Sequence, residues 1–195
     1  MDRLAAVNRI LVSAQLEPVA SLTGSLDRLE TKAVTMLDDA VLRELEKGWD
    51  FNTDHDYPLT LSAGNFNVPT TPWTVLALDV RTDQSDKEIV VRDGKLYDKT
   101  NRTFTFTEAT IDVDITWKID FDNCPLAFQE QAVAFASVRF AVQVAVDPQT
   151  ASQLREDKAE AKAQMRHADT QQAELSIYRR WPLNWVSRRW PRLNK

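Results

Sequence analysis

The sequence predicts an α+β fold: a helical bundle formed by the N- and C-terminal helices, an inserted antiparallel β domain, and an extended C-terminal arm. Three observations predict it. Apolar residues recur with helical spacing at both ends of the chain. Between them, periodicity of that kind stops for about seventy residues and gives way to short β-branched and aromatic runs. The last nineteen residues, 177–195, read IYRRWPLNWVSRRWPRLNK and have too little apolar material for a core of their own. The expected division is 1–54 and 121–176 as the helical domain, 55–120 as the β domain and 177–195 as the arm.

Residues 3–14 place Leu4, Val7, Leu11 and Ala14 on one face of a first helix. Pro18 and Gly24 bound the loop that follows. Thr23 or Ser25 is the expected N-cap of a second helix over 26–47, with Leu26, Leu29, Ala33, Met36, Leu37, Ala40 and Leu45 as its apolar stripe. Gly48 stands where a helix C-terminal glycine belongs. Strands are expected at 57–61, 73–80, 88–92, 95–98, 103–107 and 110–119, as an antiparallel meander. Asp93-Gly94 is the strongest hairpin signal. In 110–119, Ile111, Val113, Ile115, Trp117 and Ile119 alternate with Asp112, Asp114, Thr116 and Lys118, which predicts one buried and one wet face.

Helix returns at Asn123-Cys124-Pro125, with Asn123 or Cys124 as the cap and Pro125 in the first turn. Residues 126–146 are apolar almost all round, with Leu126, Phe128, Val133, Phe135, Val138, Phe140, Val142 and Val144, as a bundle centre would be. Asp147-Pro148 breaks this helix. A last long helix, 149–175, carries only Leu154, Met165 and Leu175 as large apolar residues and is expected on the surface or against neighbours through its alanines.

Composition excludes several functions. Four isolated glycines, at 24, 48, 64 and 94, provide no phosphate loop or dinucleotide fingerprint. Two histidines and one cysteine make no local zinc set. Asp54-His55-Asp56 is the only metal-like cluster and reads as a polar loop before the first strand. Asp112 and Asp114 lie about 7 Å apart on strand geometry, a spacing that suits paired carboxylates in an enzyme or, with Asp120 and Asp122, a cation site; a solvated strand face is the simpler reading. Cys124 reads as an inert helix-start residue, since no intrachain disulfide is possible and neither histidine is near in sequence; a reducing compartment is expected. No catalytic residue, cofactor or metal is expected. The N-terminus reads as lacking a signal peptide, and Ala132–Val146 is too short and polar to span a membrane.

The chain carries a net charge of −5, unevenly spread. Residues 177–195 hold six basic and no acidic residues, which leaves 18 basic and 29 acidic on residues 1–176, a net −11. Arg179-Arg180-Trp181-Pro182 returns nine residues later as Arg188-Arg189-Trp190-Pro191, and Trp181, Trp185 and Trp190 are three of the six tryptophans. Trp and Arg dominate protein–protein hot spots. The candidate partner-binding residues are therefore Arg179, Arg180, Trp181, Pro182, Trp185, Arg188, Arg189 and Trp190. The same composition suits nucleic acid through phosphate contacts and stacking, which makes a DNA-binding protein the alternative. A membrane-surface segment is a third reading; two prolines argue against a continuous amphipathic helix there.

Four stretches resemble the tail tubular protein A family of short-tailed phages. They are Leu4-Ala5-Ala6-Val7-Asn8-Arg9-Ile10-Leu11 with Glu17-Pro18-Val19; Glu46-Lys47-Gly48-Trp49-Asp50-Phe51-Asn52-Thr53; Val91-Arg92-Asp93-Gly94-Lys95-Leu96-Tyr97-Asp98-Lys99 with Thr103-Phe104-Thr105-Phe106; and the Asn123-Cys124-Pro125 turn before an Ala- and Phe-rich helix. The resemblance spans about residues 4–170 and leaves the arm unmatched. It implies a head-to-tail adaptor: a ring of twelve copies between the portal protein and a tail nozzle of tail tubular protein B type. DNA would pass through without specific binding, and no membrane is involved. The implied location is the virion tail at the head–tail junction, after synthesis in the host bacterial cytoplasm.

Overall fold

The structure is a computed structural model that describes residues 1–80 and 88–180, with 173–180 as backbone only. Its elements are α1 (Arg3–Ser13), α2 (Arg28–Leu45), β1 (Thr53–Thr60), β2 (Thr74–Val80), β3 (Ile89–Arg92), β4 (Lys95–Asp98), β5 (Thr110–Lys118), α3 (Leu126–Val144) and α4 (Pro148–Arg180). The class is mixed α+β, as expected.

Asp2 caps α1, its Oδ1 accepting from the Ala5 N–H at 2.7 Å, and the helix buries Ala6, Val7, Ile10 and Leu11. The cap of α2 is Asp27, not Thr23 or Ser25, so the helix begins two residues later than expected. Asp27 Oδ1 accepts from the Leu29 and Glu30 N–H groups, and Glu30 Oε2 accepts from the Asp27 N–H at 2.7 Å. That reciprocal box satisfies donors at both ends; Thr23 instead meets Ser21 through their hydroxyls. Beyond Leu45, Gly48 takes φ +68° and donates its N–H to the Leu45 carbonyl. A Cβ there would approach the hydroxyls of Thr53 and Thr116 at 3.4 and 3.5 Å.

The turn from helix to sheet is a polar joint. Trp49 donates its indole N–H to the Glu44 carbonyl at 2.8 Å. Asn52, 1% exposed, accepts from the Trp49 N–H and donates from Nδ2 to the carbonyls of Leu45 and Trp117 at 3.0 Å each. Phe51 meets Phe128 edge-on, and the Asp50 N–H donates to Asp169 Oδ1. One short segment thus touches α2, β5, α3 and α4.

The sheets are not the expected meander. β5 is central in a three-stranded antiparallel sheet of order β1-β5-β2, while β3 and β4 form a separate hairpin. The hairpin turns at Asp93-Gly94, both at positive φ, as predicted. Ile111, Val113, Ile115 and Trp117 of β5 are buried, as the alternation predicts. Its other face is mixed: Thr110 and Lys118 are exposed, Asp112 and Asp114 half-buried, and Thr116 buried. Residues 103–107 form no strand. Phe106 meets Phe66 edge-on at 5.3 Å and Phe104 meets Tyr97 edge-on at 4.8 Å, so their apolar surface is satisfied by ring contacts. Only Thr103 bridges to Asp98.

α3 packs against α1, α2 and α4, and a single buried cluster runs from Ala6 to Met165. Its burial is not all-round: Leu126 and Val142 are 58% and 64% exposed, while Gln129, Gln131 and Ser137 are buried. Neither Asn123 nor Cys124 caps it. Pro125 holds that position without a side-chain bond, and residues 121–123 form a short turn of helix. Gln129 closes this end instead, donating to the Phe121 carbonyl at 2.9 Å and accepting from the N-terminal ammonium at 2.8 Å. Ala145 turns the chain in the left-handed region. Asp147 then caps α4, accepting from the Thr150 hydroxyl and from the N–H groups of Thr150 and Gln149, which hold its carboxyl below the usual carboxylate range. α4 runs five residues past its expected end, through Arg180.

Cys124 lies buried, with its thiol 3.4 Å from the Asp120 carbonyl. Burial pushes its pKa up from 9.0 to about 12, and the carboxylates of Asp120 and Asp122 add to the rise.

Two outcomes follow from this packing. Asn52→Ala takes the side-chain partner away from the Trp49 N–H and from the carbonyls of Leu45 and Trp117, the Leu45 carbonyl keeping only the Gly48 N–H. The expected loss of unfolding free energy is about 2–4 kcal/mol, read as a lower urea midpoint at unchanged slope; a loss below about 0.5 kcal/mol refutes the joint's role. Cys124 should react with a thiol reagent at near-neutral pH at least about tenfold more slowly in the native chain than in urea. Its folded pKa is raised, so the stability linked to it is full below pH 9.0 and drains away as pH rises toward about 12. Alkaline melts of Cys124→Ala should lack that component.

Candidate functional site

Chemistry-bearing residues lie in four places, two of them singled out from the sequence. The first is the β1–β5 edge. A bulge between Asp54 and Tyr57 re-aims the local side chains. Trp117 donates its indole N–H to Asp54 Oδ2 at 2.7 Å. His55 Nδ1 stands 3.1 Å from Asp114 Oδ2, and the Asp56 N–H donates to Asp114 Oδ1 at 3.1 Å. Asp114 is thus committed to holding the bulge, with Asp56 in the left-handed region at φ +55°. This use is structural. Among the described residues, no group of three or more His, Cys, Asp or Glu side chains is placed to hold a metal ion.

The second place is the contact between α2, α3 and α4. Glu44 is 1% exposed, and its Oε2 accepts from Lys47 Nζ and Gln131 Nε2. Phe135 is stacked by two cations, Lys158 with Nζ 4.1 Å from the ring centre and Arg43 at 5.4 Å. Burial lowers the Lys158 pKa. Glu44 opposes that shift, while Lys162, Arg43 and Lys47 reinforce it. A cavity of about 100 Å³ sits among Glu44, Lys47, Gln131, Phe135, Lys158 and Lys162. Gln131 Oε1 is buried there with no hydrogen-bond partner. Sequence reasoning missed this cluster. The signal was present: Glu44 follows Ala33, Leu37 and Ala40 at helical spacing, so it falls on the buried stripe.

The third place is a cleft of about 420 Å³ between α1, α3 and α4. Val133, Ala134, Leu154 and Ala161 give it an apolar lining, and Arg9, Glu130, Asp157 and Glu160 supply its charge. Three carboxylates against one guanidinium make it acidic. It too was missed, because its residues come from three helices and α1 is far from the other two in sequence.

The fourth is the basic Trp-rich segment. Arg179 and Arg180 stand on the last turn of α4 and not, as expected, beyond it. Trp181, Pro182, Trp185, Arg188, Arg189 and Trp190 lie outside the described residues. Among the described residues, no helix is long and apolar enough to cross a membrane.

No curated protein matches the chain in sequence. A family model, that of the tail tubular proteins, matches residues 4–175. That span runs from α1 through most of α4 and ends before the doubled Arg-Arg-Trp-Pro sequence. It covers far more than half of the chain, and it takes in the joint at Asn52, the two-cation stack on Phe135 and the acidic cleft. The chain therefore belongs to the tail tubular protein family, structural components of viral tails.

Proposed function

We propose that this protein is a subunit of a viral head-to-tail connector ring of tail tubular A type, joining the portal to the tail nozzle. The family match over residues 4–175 carries the reading. Twelve copies would close the ring, and the genome would pass through its centre during ejection. The subunit acts by assembly. An acidic wall suits that passage: residues 1–176 carry 18 basic and 29 acidic residues, and like charge keeps a duplex from sticking, where a basic wall would bind it through released counterions. In this reading, residues 1–54 and 121–176 form the helical ring-building unit and 55–120 the inserted β unit.

The basic segment is the docking arm, and the portal is its target. Arg179, Arg180, Trp181, Pro182, Trp185, Arg188, Arg189 and Trp190 supply the anchors, two aromatic–arginine grips on one chain. α4 supports this by carrying the first two of these residues on its last turn.

Imaging the purified chain with its portal should give a ring with a central channel; separate monomers on the portal would refute the ring. Removing residues 181–195 should abolish portal docking and leave the thermal melt of the body unchanged. Undiminished docking by the shortened chain would refute the arm. Trp181→Ala and Trp190→Ala should each weaken docking, by comparable amounts and on the order of tenfold or more; a large loss from one and none from the other would refute the two-grip arrangement.

A further inference from the structure

The two sides of α4 carry opposite charge at the same height. Toward α1 lies the cleft with Glu130, Asp157 and Glu160 against a single Arg9. Toward α2 lie Arg43, Lys47, Lys158 and Lys162 against a single Glu44. Helical spacing separates the two stripes: Asp157, Glu160, Ala161 and Gln164 share one face, while Lys158 and Lys162 fall roughly 100° further round. Met165, 1% exposed, sits between the stripes where α4 meets α3. Asp157, Glu160, Arg43 and Lys162 are all exposed.

We infer that these two flanks are the copy-to-copy interface: the basic flank of one chain packs against the acidic cleft of the next. The inference rests on the ring reading and names the surfaces that would build it. A second copy is the occupant the charges select. A two-fold contact of either flank with its own copy would set acidic against acidic or basic against basic, which like-charge repulsion opposes. A head-to-tail contact sets acidic against basic at every junction. Head-to-tail contacts close into rings when the rotation closes and run into filaments when it does not. Here both stripes lie on the same two turns of one helix, so each chain offers the two complementary surfaces side by side. The apolar lining of the cleft from Val133, Leu154 and Ala161 adds burial that charge alone would not provide.

Charge reversal tests this. Arg43→Glu with Lys162→Glu makes both flanks acidic; Asp157→Lys with Glu160→Lys makes both basic. The substituted side chains are exposed, and melts should shift by no more than a few degrees. Sedimentation, with and without portal, should show self-association of each variant weakened at least about a hundredfold. An equal mixture of the two variants should restore the oligomer, as should one chain carrying all four changes. Assembly of either variant at the level of the unaltered chain, or a mixture that fails to reassemble, overturns the inference and leaves the ring reading standing. A monomeric unaltered chain under both conditions overturns the two together. Residues 1–180 should still self-associate; if they do not, and the charge variants of the full chain do, residues 181–195 occupy the cleft and the inference is overturned.

Discussion

One buried amide governs how the helical and β parts of this chain meet. Asn52 presents its carbonyl to the Trp49 N–H and its amide to the ends of α2 and β5. Helix ends leave carbonyls without intrahelical partners, and burying them unpaired costs about 1–3 kcal/mol each. The joint answers that cost locally, so α2 can end inside the protein against β5. Phe51 and Asp50 then engage α3 and α4 from the same segment. The cleft, the two-cation stack and the course of α4 all depend on helices positioned by this joint.

Much of the fold was legible because it rests on period and turn chemistry. The Asp93-Gly94 turn needs positive φ at both residues, and both have it. The alternation of β5 reads as a half-buried strand because Ile, Val and Trp recur every second residue. What failed has physical causes. Asp27 outcompetes Thr23 and Ser25 as a cap because only it stands three residues before Glu30. Residues 103–107 look like a strand, but Phe104 and Phe106 find aromatic partners across a loop. The sheet order β1-β5-β2 requires pairing across some fifty residues, which no local pattern encodes.

The candidate surfaces were less legible than the fold. Glu44 and Gln131 are polar residues at buried positions, and composition assigns them to the outside. Their partners, Lys47 and each other, are visible only once α2 and α3 are side by side. The net charge of residues 1–176 predicts an acidic surface overall and conceals a basic flank within it. Charge sums over sequence average away an arrangement that one helix sorts onto two faces.

α4 leaves the joint at Asp169 and continues as unbroken helix for eleven residues to Arg180. At 1.5 Å per residue that is a strut of about 16 Å. A strut transmits direction as well as distance. The tip of the helix therefore inherits its heading from the packing of α4 on α3 and from the half-buried hydrogen bond between Asp50 and Asp169. In any assembly of identical copies, the pattern of these tips is a projection of the pattern of the bodies, enlarged by the length of the strut. A small tilt between neighbouring bodies becomes a larger displacement at the tips, so the geometry by which the bodies pack also decides which surface the tips can reach.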